Sequence, residues 1–139
     1  MTEVEPLKII GVVTDRVGSP RDDGSSGSAL YGVPIRLNRP PTSDEARLLP
    51  VTWDSPPQWT SMHRPGILTV EGDCLVLTRT TLEEIERYHA KTLALVVDNV
   101  NAAAAETRSR QAADEERAAQ AEAAHRSHVS EVAARIKFD

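Results

Sequence analysis

Between residues 81 and 139 the chain has neither Gly nor Pro, and at its start large apolar residues return every three or four positions. Leu82, Ile85, Leu93, Val96 and Val100 fall on one stripe of a helix, with His89 the polar member of the set. Thr81 followed by Glu84 has the spacing of a capping box, and Glu83, Glu84 and Glu86 place negative charge at the positive end of the helix dipole. A long helix is therefore expected to begin at Thr81 and to rest on a sheet up to about Val100. Beyond it the pattern changes: thirteen of the residues from 101 to 139 are Ala, and large aliphatics return only at Val129, Val132 and Ile136. Alanine keeps helix propensity high but buries little area. Glu106 with Arg110, Glu122 with Arg126 and Glu131 with Arg135 are correctly oriented i, i+4 pairs, each contributing about 0.2–0.5 kcal/mol. The second half can thus stay helical to about Lys137 while having little of its own to bury.

Ahead of this helix the pattern is that of strands. Ile9, Ile10, Val12 and Val13 form a β-branched run weakened by Gly11. Tyr31, Val33, Ile35 and Leu37 alternate with Gly32, Pro34, Arg36 and Asn38, the period of a half-buried strand. Pro34 has no N–H to give, so this strand is expected at an edge, or with its open side at that residue. Thr42 with Glu45 repeats the capping-box spacing, and Ala46, Leu49 and Trp53 share a helical face; Pro50 inside that face predicts a kink or a restart.

The clearest pairing surrounds Gly72 and Asp73. With these two as the centre of a type II′ turn, Val70 faces Leu75 and Leu68 faces Leu77 on one side, while Glu71 meets Cys74 and Thr69 meets Val76 on the other. The order strand, strand, short helix, strand, strand, long helix predicts an α+β fold: a two-layer β-β-α-β-β-α sandwich whose long C-terminal helix extends beyond the head. The expected division is a head over residues 1–100 and an Ala-rich helical arm over 101–139.

Charge narrows the function classes. The net charge is -5, and the arm alone carries seven acidic against six basic residues, so no segment has the basic footprint of a nucleic-acid binder. No apolar run reaches membrane-spanning length and residues 1–6 hold no basic residue, which favours a soluble, cytoplasmic protein. The single Cys excludes an internal disulfide framework.

Candidate chemistry concentrates in residues 53–66. Both tryptophans, Trp53 and Trp59, stand there with Met62, His63 and Arg64 in a segment stiffened by prolines, a composition that partner hot spots favour. The purely structural alternative has the tryptophans closing the end of the sandwich and Arg64 bonding backbone carbonyls. The loop GSPRDDGSSGSA at 18–29 lacks the order of a phosphate cradle, and Asp22 and Asp23 would repel an anion. Glu86 with His89 and Glu122 with His125 have the spacing of carboxylate-histidine metal pairs, but lie about 54 Å apart on one helix. Cys74 beside Glu71 is not an activated thiol.

The expectation is a non-catalytic interaction or adaptor protein that needs no cofactor or metal. Trp53, Trp59, Met62, His63 and Arg64 would contact a partner, and Val129, Val132 and Ile136 would mediate self-association or docking into a larger assembly. The alternative is a binder of small, nucleotide-like anions, or a weak hydrolase, using the 15–29 loop with His63 and Arg64.

Overall fold

A computed structural model describes residues 5–139, so most of the N-terminal acidic stretch lies outside the described residues. The elements are β1 (Ile9–Val12), a 3-10 turn (Thr14–Arg16), β2 (Tyr31–Leu37), α1 (Ser43–Asp54), β3 (Leu68–Glu71), β4 (Cys74–Thr80), α2 (Leu82–Glu84), a π-helical turn (Ile85–His89) and α3 (Ala90–Arg135). The four strands form one antiparallel sheet in the order β1-β2-β4-β3. The fold is α+β, as the hydrophobic pattern predicts.

The β3–β4 hairpin has the register read from the sequence, with Leu68 opposite Leu77 and Val70 opposite Leu75. Gly72 takes φ +60°, the left-handed value that a II′ turn demands at its first central position. Leu68, Leu75 and Leu77 join Val33, Ile35 and Leu37 of β2 in the core, where they meet Leu49 and Trp53 of α1 and Leu93, Val96, Val97 and Val100 of α3. One aliphatic face of the sheet is thereby closed by both helices.

Pro34 is not on an edge strand, because β2 lies between β1 and β4. Its carbonyl accepts from Val13 N at 3.0 Å, while the Val13 carbonyl, the acceptor that an N–H at position 34 would have served, takes Arg16 N at 3.0 Å instead. The chain leaves the sheet at the residue where the ladder has no donor, so the missing N–H leaves no orphaned acceptor. Pro50 does not restart α1 either, since residues 43–54 form one helix through it.

The two Thr-x-x-Glu signals diverge. At Thr42 the full box forms: Thr42 Oγ1 accepts from Glu45 N, and Glu45 Oε1 accepts from Thr42 N at 2.8 Å. At Thr81 only half of it forms. Thr81 Oγ1 accepts from Glu84 N at 3.1 Å, but the Glu84 carboxylate is turned to Arg64, and the Tyr31 hydroxyl accepts the Leu82 N–H at 3.0 Å.

The stripe also shifts. In the π-helical turn Ala90 N donates to Ile85 O, one residue further back than in an α-helix, which turns the residues before it by about 100° against those after it. Leu82 is consequently exposed, whereas Ile85, His89, Leu93, Val96 and Val100 are buried and Val97 joins them. The helix stops at Arg135, so Ile136 and Lys137 lie past its end, and Glu131 forms no ion pair with that last helical residue. The Glu106–Arg110 and Glu122–Arg126 pairs do form, at 2.6 and 3.0 Å.

The chain divides into two compact units, the second being residues 105–139. The first extends past the compositional break at Asn101, whose side chain is tied to the N-terminal end of the head. The Asn101 amide brackets Leu7, accepting from its N–H and donating to its carbonyl, both at 2.9 Å, as a neighbouring strand would. In the second unit every side chain is exposed except the partly buried Val132. No helix of the described residues is long and apolar enough to cross a membrane.

Candidate functional site

Residues 55–66 form no regular element, but they are held at both ends. Asp54 Oδ1 accepts from Gly66 N at 2.7 Å, Trp53 Nε1 donates to Arg64 O at 2.8 Å, and the Arg64 guanidinium grips the Glu84 carboxylate with bonds of 2.7 and 3.1 Å. Arg64 also donates to Arg79 O at 3.2 Å. The loop is a stiff platform fastened to the start of the long helix.

Through this platform runs a row of rings. His89, fully buried on the π-helical turn, meets Trp53 edge-on at 5.5 Å; Trp53 lies against His63 at 4.3 Å; and His63 meets Trp59 edge-on at 4.9 Å. Trp53 has no exposure at all, so it supports the loop from beneath and offers no surface. Trp59 is 59% exposed. Met62, His63 and Arg64 are partly buried.

His63 Nε2 lies 2.7 Å from the Trp53 carbonyl, which can only accept, so this nitrogen carries the proton. His63 Nδ1 is buried with no hydrogen-bond partner among the described residues, and no carboxylate, hydroxyl or thiol there bonds to the ring. That geometry fixes the ring's orientation but does not activate a nucleophile. The charge of Arg64 is engaged by Glu84, and among the described residues no hydrogen bond joins the 15–29 loop to either His63 or Arg64. That loop is organised on itself: Arg21 N and Asp22 N donate to Ser28 O, and Ser25 N donates to Asp23. It lines instead a cavity of about 290 Å³ on the opposite face of the sheet, where Arg16, Gly18, Gly32 and Pro34 meet Glu71 and Cys74. Burial, and then Asp73 at 3.5 Å, pushes the Cys74 thiol up, away from the thiolate.

His89 is the member that sequence reasoning placed on the core stripe without seeing its cost. Both ring nitrogens are buried and have no hydrogen-bond partner among the described residues. Burial pulls its pKa below the usual imidazole value; Glu84 opposes the shift, while Arg64 and His63 reinforce it. The folded state therefore binds fewer protons than the unfolded chain, and stability is lost as pH falls through about 6.5 toward the lower folded value. His89→Leu is expected to raise stability by about 1–3 kcal/mol at pH 7 and to flatten the dependence between pH 7.5 and 5. Urea unfolding at the two pH values checks this; an unchanged slope in His89→Leu would mean that another group titrates.

A shallow groove of about 200 Å³ opens beside Trp59, lined by Gln58, Thr60, Lys91, Thr92 and Leu95 as well. The helical half of this lining carried no signal in the sequence, because Lys91, Thr92 and Leu95 lie off the apolar stripe and nothing near them announces that the loop packs there. Among the described residues no group of three or more His, Cys, Asp or Glu could hold a metal ion. No protein-family model, curated protein or solved structure matches the chain.

Proposed function

We propose that this chain is a non-catalytic interaction protein: the α+β head presents the proline-tryptophan loop to a partner, and the C-terminal helical arm joins a second copy of the same chain. The observation that carries this reading is where the arm keeps its apolar side chains. Within residues 105–139 the only large aliphatic or aromatic residues are Val129, Val132, Ile136 and Phe138. Val129 is 49%, Ile136 51% and Phe138 95% exposed, so they have almost nothing to bury against within their own unit.

In proteins most helical stability comes from packing an apolar face on another element, and the apolar side chains at the far end of the arm are the ones such packing would use. Seven acidic against six basic residues in this region leave a surface that does not repel a second arm, unlike a single-sign charge run. The single cysteine is free and buried, in keeping with a reducing, cytoplasmic compartment.

Replacing Val129, Val132 and Ile136 together by Ser is expected to halve or further reduce the light-scattering mass of the full chain while leaving the head's unfolding transition in place. A chain ending at Ala104, which keeps the Asn101 clamp on Leu7, should behave in the same way. A monomeric mass for the unaltered chain at high protein concentration would overturn self-association through the arm.

A further inference from the structure

We infer that the groove between the proline-tryptophan loop and the first turns of α3 takes a partner-protein segment in which an aliphatic side chain stands within two positions of a carboxylate. This rests on the interaction reading above and states the chemistry that the head would recognise. The groove combines an apolar wall with one free cation. Trp59, 59% exposed and set edge-on to His63 at 4.9 Å, and the partly buried Leu95 give the wall. The cation is Lys91, which forms no ion pair among the described residues, whereas Arg64 beneath the same loop is tied to Glu84 at 2.7 Å.

Polar groups complete the lining. Gln58 contributes an amide, and the Thr60 hydroxyl oxygen is buried without a hydrogen-bond partner among the described residues. Thr92 Oγ1 donates to Tyr88 O at 3.4 Å, so its proton is engaged and its lone pairs suit a backbone N–H of the segment and not the carboxylate. The Gln58 amide and the Lys91 ammonium beside an apolar wall match a carboxylate next to an aliphatic side chain, and a basic segment would find Lys91 opposing it.

Size favours a protein segment over a free metabolite. About 200 Å³ lies below the roughly 300–1,000 Å³ of pockets that enclose small molecules, but suits one anchoring side chain with its neighbour. An exposed Trp at the rim is the residue type that most often anchors a protein interface.

The test is selection of a random heptapeptide display library on the full chain, followed by fluorescence-polarisation titration of the enriched peptides, made synthetically with blocked termini. Enriched sequences are expected to place Asp or Glu within two positions of Leu, Ile or Met. Their affinity should fall at least tenfold on Lys91→Glu and on Trp59→Ala, and hold within about threefold on Lys91→Arg. Both positions are exposed, and circular dichroism of each variant confirms that the head is folded. Three outcomes overturn the inference: no enrichment, enrichment of peptides lacking an acidic residue, or equal affinity for wild type and Lys91→Glu. Failure here with an arm-dependent dimer still present by light scattering refutes the groove alone, whereas a monomeric full chain refutes the arm and leaves the peptide result to stand by itself.

Discussion

Replacing Arg39 by Ala should destabilise the head by about 3–5 kcal/mol at neutral pH, a large share of the roughly 5–15 kcal/mol that holds a domain folded. The reason is Glu45, only 1% exposed in the first turn of α1. Arg39 meets its two carboxylate oxygens at 2.7 and 2.9 Å, and donates again to the Glu5 carbonyl at 2.6 and 2.8 Å. Without the guanidinium, a carboxylate would remain buried with the Thr42 N–H as its remaining hydrogen-bond partner. The reverse change is milder: in Glu45→Gln the amide still serves the capping box, and Arg39, with its side chain 20% exposed, keeps its carbonyl partners and some solvent. Chemical denaturation of both variants should show Arg39→Ala losing clearly more than Glu45→Gln; equal losses would mean that the pair acts only as packing.

Acid should expose the same pair. The Arg39 hydrogen bonds pull Glu45 down to about 2 against the opposing effect of burial, with the Thr42 amide helping. Because the folded pKa is depressed, the contribution is fully present above the ordinary glutamate value near 4.3 and is lost as pH falls toward 2. A depression of about two units corresponds to about 3 kcal/mol, and Glu45→Gln should remove that part of the acid transition. Between pH 7.5 and 5 the dependence belongs to His89 instead, so the two titrations are separable by pH.

How far the sequence spoke depended on how local each signal was. The hairpin register followed from alternation and from one glycine that had to take positive φ, so it could be read from residues 68–77 alone. The Thr42 box was equally local. At Thr81 the same spacing misled, because Glu84 found a stronger partner in Arg64, twenty residues earlier. Asn101 and Leu7 are joined across almost the whole head, and nothing near either residue announces the other. The π-helical turn left no mark of its own either; it shows only through Leu82, which the periodic stripe counted as buried and which is 40% exposed. For the candidate site, the loop's tryptophans and His63 were legible as a cluster. Lys91 and Thr92 were not, since they follow Trp59 by about thirty residues in the sequence and only the folded chain brings the loop beside them.

The two tryptophans of this region should respond to truncation in opposite ways. Trp53→Ala is expected to cost about 3–5 kcal/mol, the range for emptying a large aromatic site in a core. Trp53 is among the largest fully buried side chains, it touches the rings of both His63 and His89, and its indole N–H satisfies the Arg64 carbonyl at 2.8 Å. Removing it would uncover a cavity beneath the loop and free the segment that carries Arg64 toward Glu84. Trp53→Phe keeps much of the volume but loses the N–H, and should cost less, about 1–3 kcal/mol. Trp59→Ala, at a site 59% exposed, should change stability by no more than about 0.5 kcal/mol while weakening peptide binding. Denaturation midpoints for the three variants, read with polarisation titrations of one enriched peptide, separate support from recognition. A Trp59→Ala loss as large as that of Trp53→Ala would make the outer ring part of the core's closure, and the proline-tryptophan loop would then be a lid on the sandwich with no face of its own to offer.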